Sequence, residues 1–166
     1  MTSSVVPTGL HSRAMLALVR LLAASSVFQE RCKVDSSEDA EKRIHWPWLQ
    51  VELVDESWPC AIIEEGVDVH NCVAGGAVNE FLPYGSLMLT LTDFDRYVDQ
   101  FQDSWIDFRN FCDGVIFDIV EKSGEDDNLD AYQIECTQKA MHSDPTSTTK
   151  PHWSAKWEIS WGVGQQ

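Results

Sequence analysis

The sequence predicts an α+β fold, in which a single mixed or antiparallel sheet of about four to six strands carries helices on one face. Three observations indicate this fold. Helical periodicity dominates the first third of the chain, a long amphipathic helix lies between strand-like segments, and the C-terminal segment alternates between apolar and polar residues. The 166 residues are enough for one domain with a full core. We therefore expect a flexible arm at 1–9 and one domain at 10–166.

The sequence pattern in the N-terminal part of the domain predicts two helices. Ser12 is a candidate N-cap, and apolar residues then recur at spacings of three and four towards a helix end near 28–32. A second, shorter helix is expected to begin at 35–38, where cap-type side chains precede acidic ones. Pro47 prevents any continuation of that helix.

Three extended segments follow at 48–54, 60–65 and 85–91. The stretch between the last two, 66–84, is long for a connection within a compact domain, and such stretches commonly carry function. It is either a long loop or an extended hairpin with a further strand at 67–73. A Gly-Gly hinge and apolar residues outside the core pattern predict an assembly surface here, with the candidate interface residues Val73, Gly75, Gly76, Val78, Phe81 and Leu82.

The most regular helix is expected between Asp95 and Ser123. Its apolar residues are spaced alternately by three and four, which places them on one stripe: Val98, Phe101, Trp105, Phe108, Cys112, Val115 and Ile119. We expect this stripe to lie across the sheet, with Trp105 as a core anchor; a coiled coil is the alternative. Asp93 and Asp95 are expected at the helix start, where carboxylates interact favourably with the helix dipole.

The C-terminal region predicts a strand at 131–142, a polar loop at 143–151 and a final strand. In that final strand every second residue is apolar, namely Trp153, Ala155, Trp157, Ile159 and Trp161. A tryptophan buries on the order of 150–250 Å² when it is packed. We therefore predict that Trp153, Trp157 and Trp161 are core anchors.

The composition of the chain disfavours some classes of function. Twenty-seven acidic residues against twelve basic ones give a formal net charge of −15, which disfavours binding to nucleic acid or to an anionic membrane. The charge suits plain solubility, or a surface that lets DNA pass without holding it. Five scattered cysteines without a CxxC pair predict reduced thiols in a cytoplasmic setting. No signal-peptide pattern is present at the N-terminus.

No motif in the sequence indicates an active site. Walker, GxGxxG and GxSxG motifs are absent from the sequence, and the five histidines are dispersed without an HExxH arrangement. His70 near Cys72 is the nearest metal candidate, although an ordinary loop pair explains it more simply. Trp46 and Trp48 indicate either a recognition surface or, more simply, core packing. We expect no catalytic residue, cofactor or metal.

Five short motifs appear in a characteristic order from about residue 10 onward: LLAASSVFQ at 21–29, AEKRI at 40–44, PCAII at 59–63, GSL at 85–87 and WEISWGV at 157–163. Their order, with that of the predicted elements, resembles the tail-terminator, or tail-completion, proteins of long-tailed bacteriophages. The long helix is larger than a minimal terminator needs.

The resemblance implies a virion protein that is assembled in the host cytoplasm and forms a ring, usually of six copies, at the head-proximal end of the tail tube. Its partners would be copies of itself, the tail tube protein and the head-side connector, with DNA passing through the lumen and no membrane involved. A head-closure or neck adaptor at the same junction and a non-viral cytoplasmic adaptor are the alternatives. A small enzyme is the least favoured.

Overall fold

Helices and strands form two layers in the computed structural model, which describes residues 9–47, 58–71, 82–97, 99–123, 132–144 and 151–163. The elements of this part of the chain are α1 (Leu10–Ala24), α2 (Ser26–Cys32), α3 (Ser37–Glu41), β1 (Ile44–His45), β2 (Cys60–Asn71), β3 (Leu82–Phe94), α4 (Phe101–Lys122), β4 (Tyr132–Asp144) and β5 (His152–Val163). The predicted α+β fold with one long helix is confirmed.

The five strands form one mixed sheet in the order β1-β2-β3-β5-β4. The short β1 runs parallel to β2, and every other neighbouring pair is antiparallel. At the centre of the sheet Leu89 lies opposite Trp157 and Leu91 lies opposite Ala155. This register puts the apolar residues of β3 and β5 on the face that the helices cover.

The terminal strand alternates as the sequence predicts. Trp153, Ala155, Trp157 and Ile159 are buried, whereas the polar residues between them are partly exposed. One core joins these residues to the inner faces of β2 and β3 and to the helices. The final strand is therefore part of the structural centre of the fold.

The single helix expected near the N-terminus is broken at Ser25 into α1 and α2. The Ser25 hydroxyl accepts a hydrogen bond from the Phe28 N–H at 3.2 Å and so caps α2. Ser12 is not a cap: it lies inside α1, which begins after Gly9. The shorter helix α3 begins as predicted, with Ser36 as its N-cap.

The segment 66–84 contains the end of β2 and the start of β3, which pair with each other as an extended hairpin. β2 continues to Asn71, and β3 begins at Leu82. Both strands are longer than predicted. A bulge shifts their register between Glu65 and Asp68, and Gly66 lies within it. The predicted strand at 48–54 lies outside the described residues.

Among the helices that the structure describes, none is long and apolar enough to cross a bilayer. In the same part of the chain, the cysteines Cys32 and Cys112 are buried and form no disulfide. Cys72 lies outside it. That all five thiols are reduced stays a prediction.

Candidate assembly surface on the long helix

The long helix packs on the core with part of the predicted stripe, since Phe108, Cys112, Val115 and Ile119 are buried whereas Phe101 and Trp105 are exposed. Trp105 is 45% exposed and Phe101 is 70% exposed, so the assignment of Trp105 as a core anchor is wrong. The buried residues of α4 are Ser104, Phe108, Phe111, Cys112, Val115 and Ile119. Phe108 stacks on Trp153, with ring centroids 5.9 Å apart. The buried stripe is thus rotated towards Ser104 and Phe111.

Contacts with α2 explain this rotation. Arg31 donates two hydrogen bonds to the carboxylate of Asp107, at 3.0 and 2.6 Å. About two turns further along α4, Gly114 lies against Val27, so that a Cβ at position 114 would lie 3.0 Å from the Val27 side chain. Asp118 accepts a hydrogen bond from the Ser25 hydroxyl at 2.6 Å. Polar and small residues therefore pack one flank of α4 against α2. The periodicity of apolar residues in the sequence does not reveal this contact.

Asp93 belongs to the same network and is not at the helix start as predicted. It is the second-last residue of β3, is fully buried, and accepts hydrogen bonds from Arg31, from Arg96 at 3.1 Å and from the Phe94 N–H at 2.7 Å. A buried carboxylate needs such partners because it has lost its hydration. Its role is therefore to link β3 to α2.

Arg31 lies between the two carboxylates. Burial lowers the pKa of its guanidinium, but the hydrogen bond to Asp107 and the charge of Asp93 outweigh that effect, so the pKa is raised. The guanidinium also lies over the Phe111 ring, 5.1 Å from its centroid. Arg31 consequently remains charged and contacts α4 through both Asp107 and Phe111.

The first turn of α4 is fixed to the terminal strand. Trp153 donates from its indole Nε1 to the Ser104 hydroxyl at 2.6 Å, and that hydroxyl donates to Asp95 at 2.5 Å. Asp95 also accepts from the Tyr97 N–H at 3.0 Å. Asp95 is not at the helix start as predicted, because α4 begins only at Phe101; it contacts the first turn of α4 through the Ser104 hydroxyl.

The opposite side of α4 remains open to solvent and carries large apolar side chains. Ile106 is 49% exposed, Phe117 is 64% exposed and Val120 is 48% exposed. Arg109 and Asp113 lie between them and form an ion pair at 3.0 Å. At about 100° per residue these five side chains fall within roughly 80° around the helix axis. We call these five residues the α4 outer face.

A second exposed group lies at the start of the helix and consists of Tyr97, Phe101 and Trp105. Tyr97 is 42% exposed, and the Phe101 ring lies 5.8 Å from that of Trp153. These side chains lie on a different side of α4 from Phe117. We call them the aromatic patch.

The residues predicted for assembly fall elsewhere. Val73, Gly75, Gly76, Val78 and Phe81 lie outside the described residues. Leu82 is the first residue of β3, opposite Asn71.

Of the predicted tryptophan anchors, Trp153 and Trp157 are each 3% exposed and lie in the core. Trp161 lies opposite Gly85 in the register of β3 and β5, and its side chain is outside what the structure describes.

The sequence interpretation missed the α4 outer face. A second apolar spacing along α4, at Ile106, Phe117 and Val120, is the signal that could have revealed it. That signal competes with the stronger stripe of Phe108, Cys112 and the residues that follow.

The part of the chain that the structure describes contains buried thiols whose pKa is raised. No group of three or more His, Cys, Asp or Glu side chains in this part of the chain could hold a metal ion. Burial raises the pKa of Cys32 to about 12 and raises that of Cys112 as well. Both thiols are therefore protonated near neutral pH and are poor nucleophiles.

Comparisons with known proteins add no family. No protein-family model matches the chain, and no curated protein is significantly similar to it. The resemblance to tail terminators rests on the motifs in the sequence.

Proposed function

We propose that this chain is a structural subunit of a long-tailed bacteriophage. In this proposal it caps the head-proximal end of the tail tube as a ring of six copies, ends tube polymerisation and joins the tail to the head-side connector. The role is structural and needs no catalytic residue or cofactor. Its site of action is the virion, after assembly in the host cytoplasm.

The observation that carries the proposal is the set of large apolar side chains on the solvent side of α4. Ile106, Phe117 and Val120 are each about half exposed or more. They stand on a helix whose opposite flank is fixed by ion pairs and hydrogen bonds. Exposed apolar groups on a rigid element are typical of protein–protein contact surfaces. This supports an assembly protein.

The charge of the chain supports the position on a DNA conduit. A net charge of −15 gives phosphate groups no attractive surface overall. A ring with an acidic lumen would let the genome pass without retarding it. This agrees with the function that the sequence motifs imply.

The hairpin of β2 and β3 supplies the second contact in the proposal. Its strands pair as far as Asn71 and Leu82, and the predicted interface residues lie between those two positions. We propose that 72–81 contacts a neighbouring subunit or the tube.

Addition of the purified chain to tails from particles that lack it tests the proposal. We expect ring density at one end of each tail and restored joining to heads, seen by electron microscopy. A chain without 73–80 should keep its circular dichroism spectrum but fail to join heads. Phe81→Asp provides a smaller change with the same expected loss. Joining that is independent of the chain would refute the function.

A further inference from the structure

We propose that the α4 outer face binds the same face of a second copy, with the two helices antiparallel about a two-fold axis. This pairing concerns the free chain and does not depend on the proposed phage function. A two-fold contact closes with two copies, whereas a ring needs head-to-tail contacts. The pair is therefore distinct from the proposed ring.

The apolar residues of the α4 outer face are placed for such pairing. When a two-fold axis relates two antiparallel helices, a residue of one copy lies opposite the residue of the other copy that is equally far along the sequence on the other side of the axis. Ile106 and Phe117 have their midpoint at about residue 111, near the middle of α4. An axis there places Ile106 of each copy against Phe117 of the other. Both side chains are about half exposed or more in the single chain.

The charged residues of the same face share that axis. Arg109 and Asp113 also have their midpoint at residue 111, so each Arg109 would lie opposite the Asp113 of the other copy. In the single chain these two residues pair with each other at 3.0 Å, Arg109 also donates a hydrogen bond to Gln138 of β4, and the Asp113 side chain is 56% exposed. Pairing would therefore form a ring of two arginines and two aspartates with no charge left over. The arrangement complements itself in shape and in charge.

The axis also sets which exposed residues stay outside the contact. The aromatic patch lies on another side of α4, and Phe101 leans towards Trp153. A helix of this length extends roughly 33 Å, and contact along one helix is at the small end of stable protein interfaces. We therefore expect a dimer that forms and separates with protein concentration.

Sedimentation velocity of the full chain over a range of concentrations tests the contact. The wild-type chain should shift from monomer to dimer as concentration rises, whereas Phe117→Glu should remain monomeric with an unchanged circular dichroism spectrum. Phe101→Glu is the matched control, because it places the same charge on an exposed phenylalanine outside the α4 outer face. A monomeric wild type at about 1 mM, or a Phe117→Glu variant that dimerises like the wild type, would overturn the proposal.

A charge exchange separates contact between copies from the ion pair within one copy. Arg109→Asp and Asp113→Arg each break the pair within the chain and place like charges on the proposed axis. Each variant alone should dimerise at least about tenfold more weakly than wild type.

Mixing the two variants restores only the contacts between copies, since each chain still lacks its internal pair. The mixture should form mixed dimers with nearly wild-type affinity, measured by fluorescence anisotropy of one labelled variant. A mixture that binds no better than either variant alone would overturn the two-fold arrangement.

Discussion

Arg31 on α2 donates two hydrogen bonds to the carboxylate of Asp107 on α4 and so fixes one flank of α4 against α2. The same guanidinium binds the fully buried Asp93 of β3. One side chain therefore joins two helices and the sheet.

Replacement of Arg31 tests that anchor. Arg31→Ala leaves the buried Asp93 with Arg96 as its remaining charged partner, so we expect a loss of about 3 kcal/mol in the free energy of unfolding. Urea unfolding followed by tryptophan fluorescence measures it. Lys42→Ala breaks an exposed ion pair with Asp39 and should leave the midpoint nearly unchanged. Equal effects of the two changes would show that the Arg31 network does not stabilise the fold.

Two tryptophans that the sequence interpretation treats alike should differ in their effect on stability. Trp157 is 3% exposed and lies in the core, so Trp157→Ala should cost about 3–5 kcal/mol. Trp105 is 45% exposed, and Trp105→Ala should cost clearly less. Urea unfolding of both variants compares them. A loss below about 1 kcal/mol for Trp157→Ala would contradict its place in the core.

Regular apolar alternation made β5 predictable, because burial on a sheet face repeats every second residue. Apolar residues spaced by three and four also predicted α4, but not the rotation of its buried stripe towards Ser104 and Phe111. That rotation depends on Asp107, Gly114 and Asp118, which face α2 and appear polar or neutral in a hydrophobic pattern. Pairing between distant residues, such as Arg31 with Asp93, leaves no periodic trace in a single sequence. The exposed side of α4 is marked in the sequence only by the weaker apolar spacing of Ile106, Phe117 and Val120.

The hairpin of β2 and β3 was likewise predicted only in part from the sequence. The sequence offered a loop and an extended hairpin as alternatives for 66–84, and it could not choose between them. The bulge at Gly66 interrupts the alternation that would have marked β2 as one long strand. The choice depended on cross-strand pairing.

Gly66 itself provides a test of the bulge. A Cβ at this position would lie 2.4 Å from the Ser86 hydroxyl and 2.5 Å from the Ser86 carbonyl oxygen, so the backbone of β3 would have to move. Gly66→Ala should destabilise the fold by about 1–3 kcal/mol in urea unfolding. Gly9→Ala is the control, because its Cβ would meet only ordinary contacts at 3.5 Å. A Gly66→Ala variant as stable as Gly9→Ala would contradict the close approach of the two strands.

The buried thiol of Cys32 predicts a loss of stability at alkaline pH. Burial raises its pKa to about 12 in the folded chain, whereas an unfolded thiol has a pKa near about 8.5. Below the lower value both states hold the proton. Between the two values only the unfolded chain releases it, so stability falls as pH rises, by up to about 1.4 kcal/mol per pH unit.

Urea unfolding at pH 7.5 and about pH 9.5 measures this effect. The wild type should lose more stability than Cys32→Ala over that range, since the alanine variant lacks the titrating group. Alkylation gives an independent readout: Cys32 and Cys112 should react slowly in the native chain and readily in urea. Fast alkylation of native Cys32 would contradict its burial.

The length distribution of tails made without this chain tests its proposed function most directly. The proposed function predicts that a phage without the gene for this chain produces tails of irregular and excessive length that are not joined to heads, seen by electron microscopy of lysates. Supply of the wild-type chain from a plasmid should restore uniform, joined tails. Tails of normal length that stay unjoined would indicate a head-closure role, and normal infectious particles would contradict any role in the tail.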